Sequence, residues 1–259
     1  MAQQEPGDRV FLDHLEAYLS RRDGVDKLLK ITRYTSKLLL STPLFQAALA
    51  ANKRGPNHVS PAVLLFALRL KDFEASVGTS RKAFRLGKFV QDINALRVAP
   101  SFSSRDGFLQ LISSGGEGIY YFIEQFVWLV KAGLLDKRYQ KRLQLWSAWA
   151  EFIGYFGSVT LKGLQIRAML AKEAKLVVAL RDGKDKDDSS SSLQTAQALG
   201  EIRKKCTLKT LSLIQDVADS FLALSDIRDG KGVLSNPLIL SSCGLLSALI
   251  STHKNWSAC

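Results

Sequence analysis

Apolar and polar positions along this chain recur with the period of an α-helix, and sustained period-two alternation is hard to find. A first short helix is predicted over 10–20, with Phe11, Leu12, Leu15 and Leu19 available for one face. Arg21-Arg22-Asp23-Gly24 interrupts it, and Asp23 is placed to cap a second helix over 25–40. There Val25, Leu28, Leu29, Thr32, Ser36 and Leu39 lie near one side, while Lys27, Lys30, Arg33 and Lys37 line others. Gly55, Pro56 and Pro61 make 52–61 a loop. From 62 to 96 the reading is helical again, on a stripe of Val63, Phe66, Leu70, Phe73 and Val77, with Gly78 marking a bend or a division. A second loop covers 98–107, and Ser113-Ser114-Gly115-Gly116 reads as a further break.

The densest pattern is the block from Ser80 to Arg97. Wound at about 100° per residue, Leu86, Phe89, Val90, Ile93 and Leu96 form one stripe. Arg81, Arg85, Lys88 and Asp92 form a flanking polar face, and Lys82 and Arg97 border the stripe. Five cations against one acid leave the block at +4. Such a helix can lie in a membrane interface, its stripe in the acyl boundary and its cations on lipid phosphates. Equally, it can pack its stripe on a neighbouring helix such as 25–40. Each stripe residue gains roughly 1.5–3 kcal/mol on full burial, and each basic residue near an anionic surface adds about 1 kcal/mol.

Three apolar segments follow. The first, 119–135, carries Tyr120, Tyr121, Phe122, Phe126, Trp128 and Leu129 but also Glu124 and Lys131. The second, 145–161, carries Trp146, Trp149, Phe152, Tyr155 and Phe156 around Glu151. The third, 233–252, has no Asp, Glu, Lys or Arg and is the best candidate for a bilayer anchor, although serines dilute it around an apolar core of 238–250. Between them, 181–192 is a charged, serine-rich tract that reads as a disordered linker leading to a final pair of helices, 193–227 and 238–250. The fold class is all-α: N-terminal amphipathic helices over 1–107, membrane-associated helices over 108–180, a linker over 181–201, and C-terminal helices with the anchor over 202–259.

Charge and composition narrow the chemistry. The 259 residues carry 36 basic and 24 acidic side chains, a net +12. That balance favours an anionic partner, nucleic acid or a membrane surface, without choosing between them. The cysteines Cys206, Cys243 and Cys259 are odd in number and far apart, so neither a disulfide framework nor a zinc site is indicated. His14, His58 and His253 are scattered, and no grouping suggests a catalytic triad, a cofactor or a metal. Gly115-Gly116-Glu117-Gly118 lacks the Lys-Ser/Thr of a phosphate loop. Residues 1–9 contain Glu5 and Asp8 and no apolar run, unlike a signal peptide. The chain is not read as an enzyme.

Three blocks of ordered residues carry a resemblance. They are Arg22-Asp23-Gly24-Val25-Asp26-Lys27-Leu28-Leu29-Lys30; Ser80-Arg81-Lys82-Ala83-Phe84-Arg85-Leu86-Gly87-Lys88 with Asn94-Ala95-Leu96-Arg97; and Gly116-Glu117-Gly118-Ile119-Tyr120-Tyr121 through Trp128-Leu129. With the polar tract and the uncharged C-terminal segment, the chain resembles the peroxin-11 family of peroxisomal membrane proliferation proteins, plant members above all. The resemblance implies a multi-pass peroxisomal membrane protein with both termini in the cytosol. It implies a role in elongating and dividing peroxisomes, self-association, and cooperation with Fis1-type adaptors and dynamin-related proteins. His253-Lys254-Asn255-Trp256 lacks the dilysine-type ending of some members.

The candidate site therefore has a membrane-insertion face of Leu86, Phe89, Val90, Ile93 and Leu96, and lipid-phosphate contacts at Arg81, Lys82, Arg85, Lys88 and Arg97. Inserted from one side, such helices expand one leaflet and favour curvature. A solute pore with polar stripes through Glu124 and Glu151 is the alternative. A soluble nucleic-acid-binding helical protein is a third, suggested by charge alone.

Overall fold

The computed structural model describes residues 10–54, 60–184, 189–232 and 235–259, and no strand occurs among them. The helices are α1 (Phe11–Leu19), α2 (Arg22–Leu40), α3 (Pro43–Arg54), α4 (Pro61–Phe84), α5 (Phe89–Arg97), α6 (Arg105–Lys131), α7 (Gln140–Lys184), α8 (Ser189–Ile227) and α9 (Pro237–Trp256), with a 3₁₀ turn at Lys137–Tyr139. Six of them, α2, α4, α6, α7, α8 and α9, form a bundle, while α5 lies along α6 and α3 against α4. At 1.5 Å per residue the 27-residue α6 is about 40 Å long and the 45-residue α7 about 67 Å. The outer part of α7 therefore pairs with α8 alone, where Arg203 Nε meets Glu173 Oε1 at 2.7 Å.

Local chemistry sets several ends. Ser104 caps α6, its hydroxyl accepting from the Gly107 amide at 3.0 Å. Asn236 accepts from Leu238 N at 2.9 Å, and Pro237 occupies the first turn of α9, where its missing N–H has no helical partner to lose. The first two helices meet the end of α9: Arg21 Nη1 donates to the Ala258 carbonyl at 2.9 Å, and the His14 and Trp256 rings lie 4.2 Å apart.

Four expectations change. The helix expected over 62–96 is two helices, divided not at Gly78 but over 85–88, where Gly87 takes φ +73, a backbone that other residues adopt only with strain. Leu86 therefore leaves the register of Phe89, Val90, Ile93 and Leu96. The Ser113–Gly116 break is instead the middle of α6. A Cβ on Gly116 would stand 2.6 Å from Gly154 Cα, so the glycine is there to let α7 approach, not to end a helix. Asp23 does not cap α2; its carboxylate, in the first turn, meets Lys88 Nζ at 3.3 Å. The tract at 181–192 is helical in backbone over 181–184 and 189–192, and 185–188 lies outside the described residues, as do 1–9, 55–59 and His58. Pattern reading also missed α3.

The segment expected as anchor is α9, with 233 and 234 outside the described residues. No helix of the described residues is long and apolar enough to cross a membrane. The reason in α9 is its inner face: Ser241, Gly244, Ser247 and Ser251 are small or polar and buried in the bundle, and a Cβ on Gly244 would stand 2.1 Å from the Tyr34 ring.

The distribution of polarity departs from that of a water-soluble bundle, for charges are buried beside the apolar core of Leu109, Val127 and Val130. Asp26, Lys30, Arg81, Glu124, Asp216 and Asp219 are buried. Phe66, Phe108, Ile119, Trp146, Ile153, Phe156, Leu238 and Leu249 are exposed, each by half or more of its surface. Isolated exposed apolar residues need no explanation, but a jacket of them around buried charges does.

Candidate functional site

The buried charges enclose a cavity of about 650 Å³, lined from all six bundle helices. Ten basic and eight acidic side chains line it, and they are segregated. The wall made by α2, α4 and the 85–88 turn is basic: Lys27, Lys30, Arg33, Arg81, Lys82, Arg85 and Lys88, with Asp23 at its edge and Asp26 set behind it. The opposite wall is mostly acidic, with Glu117, Glu124, Glu151, Asp216, Asp219 and Asp226, and Lys131 and Lys162 among them.

Each helix delivers its charges on one stripe. In α2 the 3.6-residue period puts Asp23, Asp26, Lys27, Lys30 and Tyr34 on the side facing α4, α8 and α9. Asp26, 1% exposed, is the hub: Arg81 Nε stands 3.1 Å and Arg85 Nε 3.4 Å from Oδ1, and Lys27 Nζ 3.5 Å from Oδ2. Deeper, Lys30 Nζ donates to both oxygens of Asp219 at 2.9 and 3.0 Å and to Ser247 Oγ at 2.6 Å. The Ser247 hydroxyl in turn donates to Asp219 at 2.6 Å. This closes a link among α2, α8 and α9. Lys82 pairs with Glu124, which also accepts from Ser147 Oγ at 3.3 Å, linking α4, α6 and α7. Arg85 Nη1 donates to Tyr120 Oη at 2.8 Å. Asp216 accepts from Ser158 at 2.5 Å and pairs with Lys162. Burying a charge is tolerable only when it is paired and hydrogen-bonded, and nearly every one here is.

The residues expected at the lipid interface divide accordingly. Arg81, Lys82, Arg85 and Lys88 face inward and pair with Asp26, Glu124 and Asp23. Arg97, at the end of α5, is exposed and donates to Asn94. Val90 and Ile93 are about half exposed; Leu86, Phe89 and Leu96 are half-buried, Phe89 against Phe122 with ring centroids 5.5 Å apart. Glu151, read as part of a polar stripe, lines the cavity and accepts from Tyr155 at 3.1 Å. Pattern reading missed Asp26 and Asp219, the two acids that organise the basic wall. The signal was present in α2 as Asp26 on the same face as Lys30, but its partners lie 55 and 59 residues away, and Asp219 lies 189 residues from Lys30. On α5, burial pushes the Asp92 carboxyl up to about 7, the nearby Glu117 carboxylate adding to the effect and Lys88 opposing it.

Charges turned inward and aromatic and aliphatic side chains turned outward are the polarity of a helical membrane protein. The family model described as peroxisomal biogenesis factor 11 (PEX11) matches residues 12–256. The chain is 48% identical over 259 residues to peroxisomal membrane protein 11A of Arabidopsis thaliana, covering 98% of this chain and 96% of that one. It is 49% identical to peroxisomal membrane protein 11-3 of Oryza sativa subsp. japonica, covering 98% and 92%, and 42% identical to protein 11-2 of the same rice. No solved structure matches. The chain belongs to the peroxisomal biogenesis factor 11 family. Its place is the peroxisomal membrane and its role peroxisome biogenesis and proliferation. The family is named for biogenesis and not for a reaction.

Proposed function

We propose that this protein shapes the peroxisomal membrane from within, as an embedded bundle that carries α5 in the lipid interface. The observation that carries this reading is the placement of charge and apolar surface: Asp26, Lys30 and Glu124 inside, Trp146, Phe156 and Leu249 outside. In water both halves of that arrangement are costly; in a bilayer the apolar jacket meets lipid, and the bundle interior is the least costly place for the charges. No single helix needs to be apolar all round, because each hides its polar stripe in the bundle interior. The reading includes a multi-pass topology with both termini in the cytosol, supported by the meeting of α1 with the end of α9. Six crossings return the chain to the side it started from.

On this reading Val90 and Ile93 enter the acyl boundary, with Phe89, Leu86 and Leu96 at the edge of the same face. Arg97 meets lipid phosphate. Arg81, Lys82, Arg85 and Lys88 meet it only where the block leaves the bundle. Self-association, Fis1-type adaptors and dynamin-related proteins are the partners that would turn an elongated membrane into a divided one. The test is tubulation of anionic vesicles by the reconstituted full-length protein. Val90→Asp with Ile93→Asp should abolish it while alkaline carbonate still leaves the protein in the pellet. Unchanged tubulation would refute the α5 wedge; release by carbonate would refute embedding.

A second reading, a solute pore, is favoured by the charged cavity of about 650 Å³. Conductance steps from the purified protein in a planar bilayer, altered by Glu124→Gln, would support it.

A further inference from the structure

The basic wall of the cavity is not neutralised evenly. Lys30 is matched by Asp219, Lys82 by Glu124 and Arg33 by Glu74. The remaining cations, Lys27, Arg81, Arg85 and Lys88, share Asp26 and Asp23. Lys27 has only a 3.5 Å approach to Asp26 Oδ2, an oxygen it shares with Arg85 Nη2 at 3.5 Å, while Arg81 holds Oδ1 at 3.1 Å. Arg81 itself is 4% exposed, and its Nη2 is buried without a hydrogen-bond partner although the residue lines the cavity. Lys88 lies 5.0 Å from the centre of the Tyr121 ring and 3.3 Å from Asp23. The one further acid on the facing helix near this end is Glu117 of α6, which is exposed.

A buried guanidinium N–H with no acceptor, beside three more cations and fewer acids, is an arrangement that lacks an anion. Arg presents a planar fork and Lys a compact charge, and together they suit the several oxygens of a phosphate group. We infer that this end of the cavity binds a phosphate group, held by Arg81 Nη2, Lys27 and Lys88, with Arg85 completing the positive side. The inference rests on the bundle being the embedded form proposed above. The phosphate has two sources of the same chemistry: a free phosphate or phosphate ester entering the cavity, or a lipid headgroup entering between helices.

The experiment uses the full-length protein in nanodiscs of phosphatidylcholine alone, with ³²P-labelled inorganic phosphate measured by equilibrium dialysis. Saturable binding is expected. Lys27→Gln and Lys88→Gln should each weaken it at least tenfold, and Lys27→Arg should restore it. Lys254→Gln, which changes a cation of the same cavity outside this cluster, should leave it unchanged. Circular dichroism melts identify variants that fail to fold, and the test is read on the glutamine variants whose melts match the parent; if neither does, Lys27→Arg and Lys88→Arg, which keep the charge, should bind as the parent does, and loss of binding in both overturns the inference. Nanodiscs doped with phosphatidic acid separate the sources: if the lipid displaces the label, a headgroup occupies the site; if it does not, the site takes the free anion. Absence of saturable binding, or binding indifferent to both glutamine variants, overturns the inference. Carbonate extraction of the same protein keeps the two readings apart. A pelleted protein without phosphate binding loses only the site, and a released protein loses the embedding.

Discussion

Replacing Gly116 by alanine should drive α6 and α7 apart, whereas the same change at Gly115 should stabilise the protein. The added Cβ at Gly116 would stand 2.6 Å from both Gly154 N and Gly154 Cα and 2.8 Å from the Ala150 carbonyl oxygen. Ordinary carbon contacts lie near 3.5–4.0 Å, so the helices must separate by about 1 Å along a seam that also includes Gly157 against Ser113. Overpacking of this kind costs about 1–3 kcal/mol. At Gly115 nothing lies within 4 Å of the built Cβ. Gly115→Ala then removes only the backbone freedom of a helical glycine, worth about 0.4–1 kcal/mol in favour of the fold. The assay is thermal unfolding of the purified protein in one detergent, followed by circular dichroism at 222 nm. The melting temperature should fall for Gly116→Ala and rise for Gly115→Ala. Equal shifts of the same sign in the two variants would refute the close approach of α6 to α7 and return the glycines to the role of a helix break.

Three further outcomes follow from the same geometry. Lys30→Met leaves Asp219 buried and uncompensated, which should cost about 3–5 kcal/mol in the same unfolding assay; Lys30→Met with Asp219→Leu should recover most of it, because an apolar pair of similar size needs no partner. Docking of α5 on α6 should depend on pH through Asp92. The docked helix holds a proton that the released helix gives up near the ordinary value of 3.8, so docking is strongest below that value, weakens as pH rises toward about 7, and is flat above it. Deuterium exchange of residues 89–97, corrected for intrinsic rate, should be faster at pH 7.5 than at pH 5 in the native protein and equal at the two in Asp92→Asn; a dependence that survives in Asp92→Asn would remove Asp92 as its cause. Gly87→Ala places a Cβ at φ +73 and should cost about 1–2 kcal/mol, read as a lower melting temperature with no loss at the helix-compatible Gly163→Ala.

Much of the helical framework was legible because amphipathic periodicity survives in one dimension. The second helix, the loop before α6, and the final pair α8 and α9 fall close to where the pattern placed them. The break at 85–88 did not, because one glycine within an unbroken apolar stripe is also compatible with a continuous helix, and only its φ distinguishes the two. The glycines at 115 and 116 misled for the complementary reason. A glycine that ends a helix and a glycine that admits a neighbouring helix are the same letter, and Gly154, which decides between them, lies 38 residues further on in the chain.

What was open in one dimension was the direction of each face. The order of residues establishes that the chain is helical, that its helices are two-faced, that its net charge is +12, and through its ordered blocks that it belongs with the peroxisomal biogenesis factor 11 proteins. A helical period says that Arg81, Arg85 and Lys88 share a side apart from Phe89 and Ile93, and nothing about which side meets lipid. That choice is made by acids distant along the chain: Asp26 draws Arg81 and Arg85 inward across 55 and 59 residues, and Glu124 draws Lys82 across 42. Pairing a charge away from water lowers a desolvation cost that no local sequence can lower alone. The assembled bundle therefore turns the basic block into the wall of a cavity and leaves Val90, Ile93 and Arg97 on its outside.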